Sequence, residues 1–341
     1  MAYTVGIAGA SGYSGGELIR ILANHPNFTL KELQAGTKAG QKVSDFHPHL
    51  NHLDLGNFAA TDASKLAECD VVFLALPHGA SAELAGQIKS ESKIVDLGAD
   101  FRLENASDWS TYYKNDSHAG TWVYGLSELL GESIISSAAR VANPGCYATA
   151  IALGTKPMLD FVDASDIVVV AASGTSGAGR SATESLLATE LIGSVSSYKT
   201  GGVHQHTPEI EQTLRNVSGK EVKISFTPLL APMVRGIHAT ITGKLTSKVS
   251  VSELHSAYVS AYSNSYFVNV LSEGQQPKTS SVNGSNFVQI QTVIDSHTNR
   301  VVTTVVIDNL VKGAAGQAVQ NANLMFGLDP KTGLKNIGVA P

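Results

Sequence analysis

The feature that most limits how this 341-residue chain folds is its opening. Residues 3–8 are a short apolar run that enters Gly9-Ala10-Ser11-Gly12-Tyr13-Ser14-Gly15. An amphipathic helical pattern follows at once, with Leu18, Ile19, Ile21 and Leu22 on one face, until His25-Pro26 stops it. Residues 28–35 read as the next strand. Val71-Val72-Phe73-Leu74-Ala75-Leu76 is apolar throughout, as a parallel strand covered on both faces should be. A helical stretch over 80–88 and a strand over 93–97 continue the alternation, which predicts a doubly wound parallel sheet.

The pattern changes after Cys146. A β-run over 166–172 leads into Ser173-Gly174-Thr175-Ser176-Gly177-Ala178-Gly179-Arg180, and longer strands are predicted over 222–226, 238–244, 287–294 and 300–307. Several alternate apolar with polar, as Gln289-Ile290-Gln291-Thr292-Val293 does, which suits an antiparallel sheet. A helix over 251–262 interrupts them, and 309–326 is helical again. The fold class is therefore α/β: a Rossmann-type doubly wound sheet plus a second α+β domain with a mostly antiparallel sheet. The expected domains are 1–145, completed by the C-terminal helix from about 309 to 341, and 146–308.

Composition narrows the partners. The chain is 43% hydrophobic and 16% charged, with a formal net charge of −5 and no dense Lys/Arg block, so nucleic acid and anionic membrane are not expected partners. No apolar run reaches the roughly 18 residues of a membrane span. Residues 1–6 read straight into a strand without the regions of a secretion signal, and two cysteines make no disulfide framework, so the expected location is cytoplasmic. The histidines are scattered and no paired-ligand spacing occurs, so no metal is expected.

Two segments carry chemistry. Gly9, Gly12 and Gly15, with Ser11, Tyr13 and Ser14 between them, follow a strand and open a helix, where backbone N–H groups approach a pyrophosphate. The second strand ends Gln34-Ala35-Gly36-Thr37-Lys38 without a carboxylate for a ribose 2′-hydroxyl. Thr37 and Lys38 instead accommodate a 2′-phosphate, so NADP(H) is the expected cofactor. Cys146 follows the Pro144-Gly145 turn and precedes a helical run, at the positive end of a helix dipole that favours thiolate. Thiolate is a nucleophile. Cys69, with no basic neighbour in sequence, reads as structural.

In Gly201-Gly202-Val203-His204-Gln205-His206-Thr207-Pro208-Glu209, Thr207 and Pro208 resemble a cap and first helical position, placing His204 and His206 just before a helix. An imidazole beside a thiol takes its proton and returns one to an oxyanion, and Glu209 is placed to orient one ring. Arg102, Arg180 and Arg235 each stand beside glycines or turns, where a guanidinium fork suits a phosphate or carboxylate.

Together these motifs resemble the N-acetyl-γ-glutamyl-phosphate reductase family of the semialdehyde dehydrogenase superfamily, over nearly the whole chain. The most specific block is Asn143-Pro144-Gly145-Cys146-Tyr147-Ala148-Thr149-Ala150. It is supported by Ala75-Leu76-Pro77-His78-Gly79, Asp96-Leu97-Gly98-Ala99-Asp100-Phe101-Arg102, His204-Gln205-His206-Thr207-Pro208-Glu209 and Asp308-Asn309-Leu310-Val311-Lys312-Gly313. Gln205 and Thr155 depart from the family's usual basic and aliphatic residues.

The resemblance implies NADPH-dependent reduction of N-acetylglutamyl 5-phosphate to the 5-semialdehyde through a thioester on Cys146. A protonated histidine supplies the proton, His204 first and His206 second. It also implies Arg102 for the transferred phosphate, Arg180 and Arg235 for substrate anions, Pro77 and Asn309 among cofactor-binding residues, and a homo-oligomer, tetramer or dimer. The stretch from Asn309 is expected to pack on the first domain and line the nicotinamide pocket. An aminoadipate-pathway relative and a non-catalytic dinucleotide-binding regulator stay open as alternatives. Aspartate-semialdehyde dehydrogenase is disfavoured by the Pro-Gly-Cys-Tyr-Ala-Thr segment.

Overall fold

The computed structural model describes residues 2–89, 91–181 and 183–340. Met1 and Pro341, the outer ends of the expected domain ranges, lie outside the described residues. The chain forms two compact units, Met1–Pro144 with Ala314–Lys335, and Gly145–Gly313 with Asn336–Pro341.

The first unit holds strands β1 (Tyr3–Ala8), β2 (Phe28–Gln34), β3 (Val71–Leu74), β4 (Lys93–Asp96), β5 (Val123–Tyr124) and β6 (Arg140–Ala142). They form one parallel sheet in the order β2-β1-β3-β4-β6-β5. All four residues of β3 are buried, and Val5 and Ile7 of β1 pair beside them, so the apolar runs form the centre of the sheet. The chain leaves β1 to one side for β2 and crosses back for β3. That reversal opens a crevice at the carboxyl ends of β1 and β3, where such sheets bind ligands.

Gly9 ends β1 there at φ +82°, and a Cβ on it would lie 2.1 Å from the Ala75 carbonyl oxygen, so only glycine fits. The helix Tyr13–Leu22 follows, burying Leu18, Ile19, Ile21 and Leu22 as its periodicity requires. Past its end, His25 Nδ1 accepts the N–H groups of Asn27 and Phe28. The helix Gly316–Met325 also belongs to this unit and is buried along its length. Its Asn321 donates to Asn143 Oδ1 and its Gln317 to the Gly125 carbonyl, each at 3.0 Å.

The second unit holds β7 (Val162–Ser173), β8 (Ser196–Ser197), β9 (Ile224–Leu230), β10 (Ile237–Leu245), β11 (Val268–Val270), β12 (Val288–Asp295) and β13 (Arg300–Ile307). The sheet order is β11-β12-β13-β10-β7-β9-β8. Pairing is antiparallel except between β11 and β12 and between β7 and β9. The alternating burial of β10 gives the sheet one covered face. The helices Cys146–Thr155 and Val251–Ala261 meet there. Tyr258 Oη donates to the Gly154 carbonyl at 2.6 Å and lies 2.7 Å from Thr303 Oγ1 on β13.

Most element boundaries differ from the sequence expectation by one or two residues, and three differences are informative. β7 begins at Val162 rather than 166: buried Val162 pairs with Leu245 of β10, while exposed Asp163, Ser165 and Asp166 hide the start from an apolar pattern. β9 runs through Pro228 to Leu230, although proline donates no ladder hydrogen bond. The helix expected to start after a Thr207 cap starts at His206, so Thr207 is a buried residue inside its first turn.

Candidate active site

Cys146 is the first residue of its helix, with extended Gly145 as N-cap. The first N–H groups of a helix have no carbonyl four residues back, so the thiol is surrounded by outward-facing donors. The thiol is half-buried, not sealed in the core. Cys69 is the opposite case: it is buried, and burial pushes its thiol up to about 11. That setting is inert.

The turn before Cys146 is held from across the fold. Glu209 is fully buried and its Oε1 accepts the Gly145 N–H at 2.8 Å. This hydrogen bond of the carboxylate fixes the backbone of the residue immediately before the nucleophile. Gly313 closes the other side. A Cβ built on Gly313 would lie 2.7 Å from Cys146 Cβ, so the chain passes against the nucleophile with no room for a side chain.

His204 and His206 gather at Tyr147, the residue after the nucleophile, with ring centroids 5.4 and 6.1 Å from it. His204 is also edge-on to Phe226 and Tyr198, and only 6% exposed. Its Nδ1 accepts the His206 N–H at 3.0 Å, which leaves the proton on Nε2. Burial first, then His206 and Lys199, push its pKa down to about 2 against the opposing pull of Glu209. The expectation of a protonated His204 is therefore corrected: this ring is neutral and offers an Nε2–H. His206 is half-buried and belongs to the helix, not to the segment before it.

Tyr147 and Tyr198, which sequence reading did not place in the site, are joined Oη to Oη at 3.2 Å, and burial holds both phenols protonated. Tyr147 stood in the nucleophile motif; nothing in the sequence marked Tyr198.

The arginines separate. Arg102, in the first unit, is 6% exposed; its Nε donates to the Asn143 carbonyl and its Nη2 to the Leu97 carbonyl, both at 2.8 Å. These bonds make it a brace for the Asp96-Leu97 turn and for the end of β6. Arg235 is half-buried, with Nη1 3.4 Å from buried Asp308. Arg180 is exposed beyond the Gly-rich loop.

In the first unit, Gly9, Ser11, Gly12, Tyr13, Ser14 and Gly15 form the turn and helix start expected of a phosphate loop. A Cβ on Gly15 would lie 2.3 Å from the Gly9 oxygen, whereas on Gly12 it would meet nothing closer than 3.4 Å. The cradle is thus packed beneath and open at Gly12, which fits a pyrophosphate. Thr37 and Lys38 lie in a short helical turn after β2, with Lys38 Nζ 5.5 Å from the Phe46 ring centre. Pro77 is exposed just after β3.

Asn309 is placed differently from expectation. It is buried in the second unit, accepting the Gly236 N–H at 2.7 Å and donating to Ser176 Oγ at 3.0 Å. The C-terminal stretch joins the first unit only from Ala314. Among the described residues, no group of three His, Cys, Asp or Glu could hold a metal, and no helix is long and apolar enough to cross a membrane.

Comparison with known proteins agrees with this reading of the fold. Residues 4–137 match the semialdehyde dehydrogenase NAD binding domain, and 146–309 the semialdehyde dehydrogenase dimerisation domain. The chain is similar to aspartate semialdehyde dehydrogenase II of Vibrio cholerae, solved with ASA, at TM-score 0.71 and 15% identity, covering 96% of this chain and 99% of that one. It is likewise similar to the Candida albicans aspartate semialdehyde dehydrogenase solved with NADP, at TM-score 0.65, 15% identity, and the same coverage, 96% and 99%. The two domain matches together span most of the chain and place it among the semialdehyde dehydrogenases.

Two curated relatives narrow the class. The proteins of Acidothermus cellulolyticus and Streptomyces coelicolor, each named N-acetyl-gamma-glutamyl-phosphate reductase, are 49% identical to this chain over 100% of both lengths. The chain belongs to the N-acetyl-gamma-glutamyl-phosphate reductase family.

Proposed function

We propose that this chain reduces N-acetyl-L-glutamyl 5-phosphate to N-acetyl-L-glutamate 5-semialdehyde with NADPH, releasing phosphate, in arginine biosynthesis. The observation that carries the reading is the Cys146 turn, a half-buried thiol at a helix N-terminus whose backbone is held by buried Glu209. The thiolate attacks the acyl carbon, the carbon–oxygen bond to phosphate breaks, and a thioester remains. NADPH, held by the Gly9–Gly15 loop when bound, would supply the hydride that reduces this thioester.

The residues account for the rest. N–H groups at the start of the Cys146–Thr155 helix stabilise negative charge on the acyl oxygen. Neutral His204 donates a hydrogen bond through Nε2–H, and His206 takes the thiol proton and returns it to the Cys146 sulfur as the thiohemiacetal oxyanion collapses to the aldehyde and expels the thiolate. Half-buried Arg235 and exposed Arg180 are the candidates for substrate anions. Lys38 and Thr37 receive the 2′-phosphate, which favours NADP(H) over NAD(H). The dimerisation-domain match supports a homo-oligomer, which we take as a dimer or tetramer working in the cytoplasm.

The test runs the reaction in reverse. Purified protein given N-acetylglutamate 5-semialdehyde should reduce NADP only when phosphate is present, and Cys146→Ser should abolish turnover. Phosphate-independent turnover, or turnover of the aminoadipate analogue alone, would overturn the proposal.

A further inference from the structure

The segment between β2 and β3 carries His47-Pro48-His49-Leu50, a motif that neither the nucleophile nor the substrate arginines use. His47 is 2% exposed, and its Nε2 lies 2.9 Å from the carbonyl oxygen of Ala10, inside the Gly9–Gly15 loop. A carbonyl only accepts, so Nε2 is the donor. Room for the ring exists because residue 16 is glycine: a Cβ there would lie 2.3 Å from His47 Cε1 and 2.5 Å from its Nδ1. Phe58, edge-on at 6.2 Å between centroids, fixes the imidazole from another side.

We propose that His47 is a positioning residue for the dinucleotide, setting the phosphate-binding loop by clamping the Ala10 carbonyl. The Ala10 N–H is already committed to the Gln34 carbonyl at 2.9 Å. With its carbonyl held by His47, both peptide planes that meet at Ala10 are fixed. In a planar trans peptide the carbonyl and the following N–H point in opposite directions. Holding the Ala10 carbonyl toward His47 therefore turns the Ser11 N–H the other way, away from the imidazole. The imidazole acts through this peptide and touches no cofactor atom itself. Preorganising the donor removes an ordering cost that binding would otherwise meet.

This inference rests on reading Gly9–Gly15 as the pyrophosphate loop. The test measures dissociation constants on folded protein for NADPH, which carries a pyrophosphate, and for adenosine 2′-phosphate, which does not. His47→Leu leaves the Ala10 carbonyl buried without this donor and should weaken NADPH about tenfold. Binding of adenosine 2′-phosphate should stay within about twofold of wild type.

His47→Gln places an amide Nε2 the same number of bonds from the backbone and should restore most of the NADPH affinity. Gly16→Ala, which forces the ring aside, should reproduce the selective loss. If His47→Leu does not fold, Gly16→Ala and His47→Gln carry the comparison. Equal weakening of both ligands, or a thermal destabilisation with NADPH binding unchanged, would overturn the proposal. Wild-type protein that binds adenosine 2′-phosphate but gains nothing from the pyrophosphate would instead overturn the reading of the loop.

Discussion

Gly313→Ala should disable the nucleophile without removing it. The new Cβ would lie 2.7 Å from Cys146 Cβ, 3.2 Å from Cys146 Cα and 3.4 Å from Ile307 Cδ1. Non-bonded carbons rest about 3.5–4.0 Å apart, so roughly 1 Å of separation must be found along the line to the thiol-bearing carbon. The Cys146 helix has little freedom to yield, since every residue from Tyr147 to Thr155 is buried. Overpacking of this kind costs about 1–3 kcal/mol of stability where the structure cannot relax.

The catalytic consequence is larger, because a displacement of about 1 Å in a reacting group can cost about a hundredfold in rate. Steady-state assay of the variant should show kcat down roughly ten- to a hundredfold with KM for the acyl phosphate within about threefold. Alkylation of Cys146 by iodoacetamide should change in rate or in its pH dependence. A variant with a lowered melting temperature but wild-type kcat and thiol reactivity would refute the reasoning.

Other expectations follow from the same structure. Iodoacetamide at pH 8 should label Cys146 and spare Cys69, whose burial holds it as a thiol up to about 11; labelling of both at similar rates would contradict this. His204 titrates at about 2 in the fold, below its ordinary 6.5, so the unfolded chain binds the extra proton. Its contribution is intact above pH 6.5 and is lost as pH falls below it, so His204→Gln should lose stability less steeply than wild type between pH 6.5 and 4 in denaturant titrations. Parallel slopes would show that the ring is not held neutral. Lys38→Ala should lower kcat/KM for NADPH about tenfold and leave NADH within about twofold, and equal losses would remove Lys38 from the 2′-phosphate site.

What the sequence reveals follows the range of the forces involved. Local hydrophobic pattern marks a strand whether the run is continuous, as in β1, or alternating, as in β13, and the bounds it gives for these two agree with the structure to the residue. It fails where local signals compete with pairing. Pro228 reads as a strand end, yet β9 continues because β7 and β8 pair along it. Pro208 marks the first turn of a helix without fixing the position within it, since several early N–H groups lack intrahelical partners anyway; hence the start at His206.

Long-range contacts are the least visible. The nucleophile's setting after Pro-Gly was legible, but the bond from Glu209 to Gly145 spans 64 residues, and the Gly313 contact comes from far beyond the motif. For Arg102 the resemblance implies a phosphate role, and the main-chain carbonyls that its Nε and Nη2 meet are visible only in the fold. Asn309 stood in a cofactor motif, and its buried amide pins Gly236 and Ser176. In each case residue type gave the chemistry and only the fold gave the partner.

The central claim is that Cys146 carries the acyl group. The direct measurement is peptide mass spectrometry of protein mixed with N-acetylglutamyl 5-phosphate in the absence of NADPH and quenched in acid. The account predicts an N-acetylglutamyl adduct on the Cys146 peptide that disappears when NADPH is added before the quench, and no adduct in Cys146→Ser. An adduct on Cys69, or full turnover with no adduct on Cys146, would contradict it.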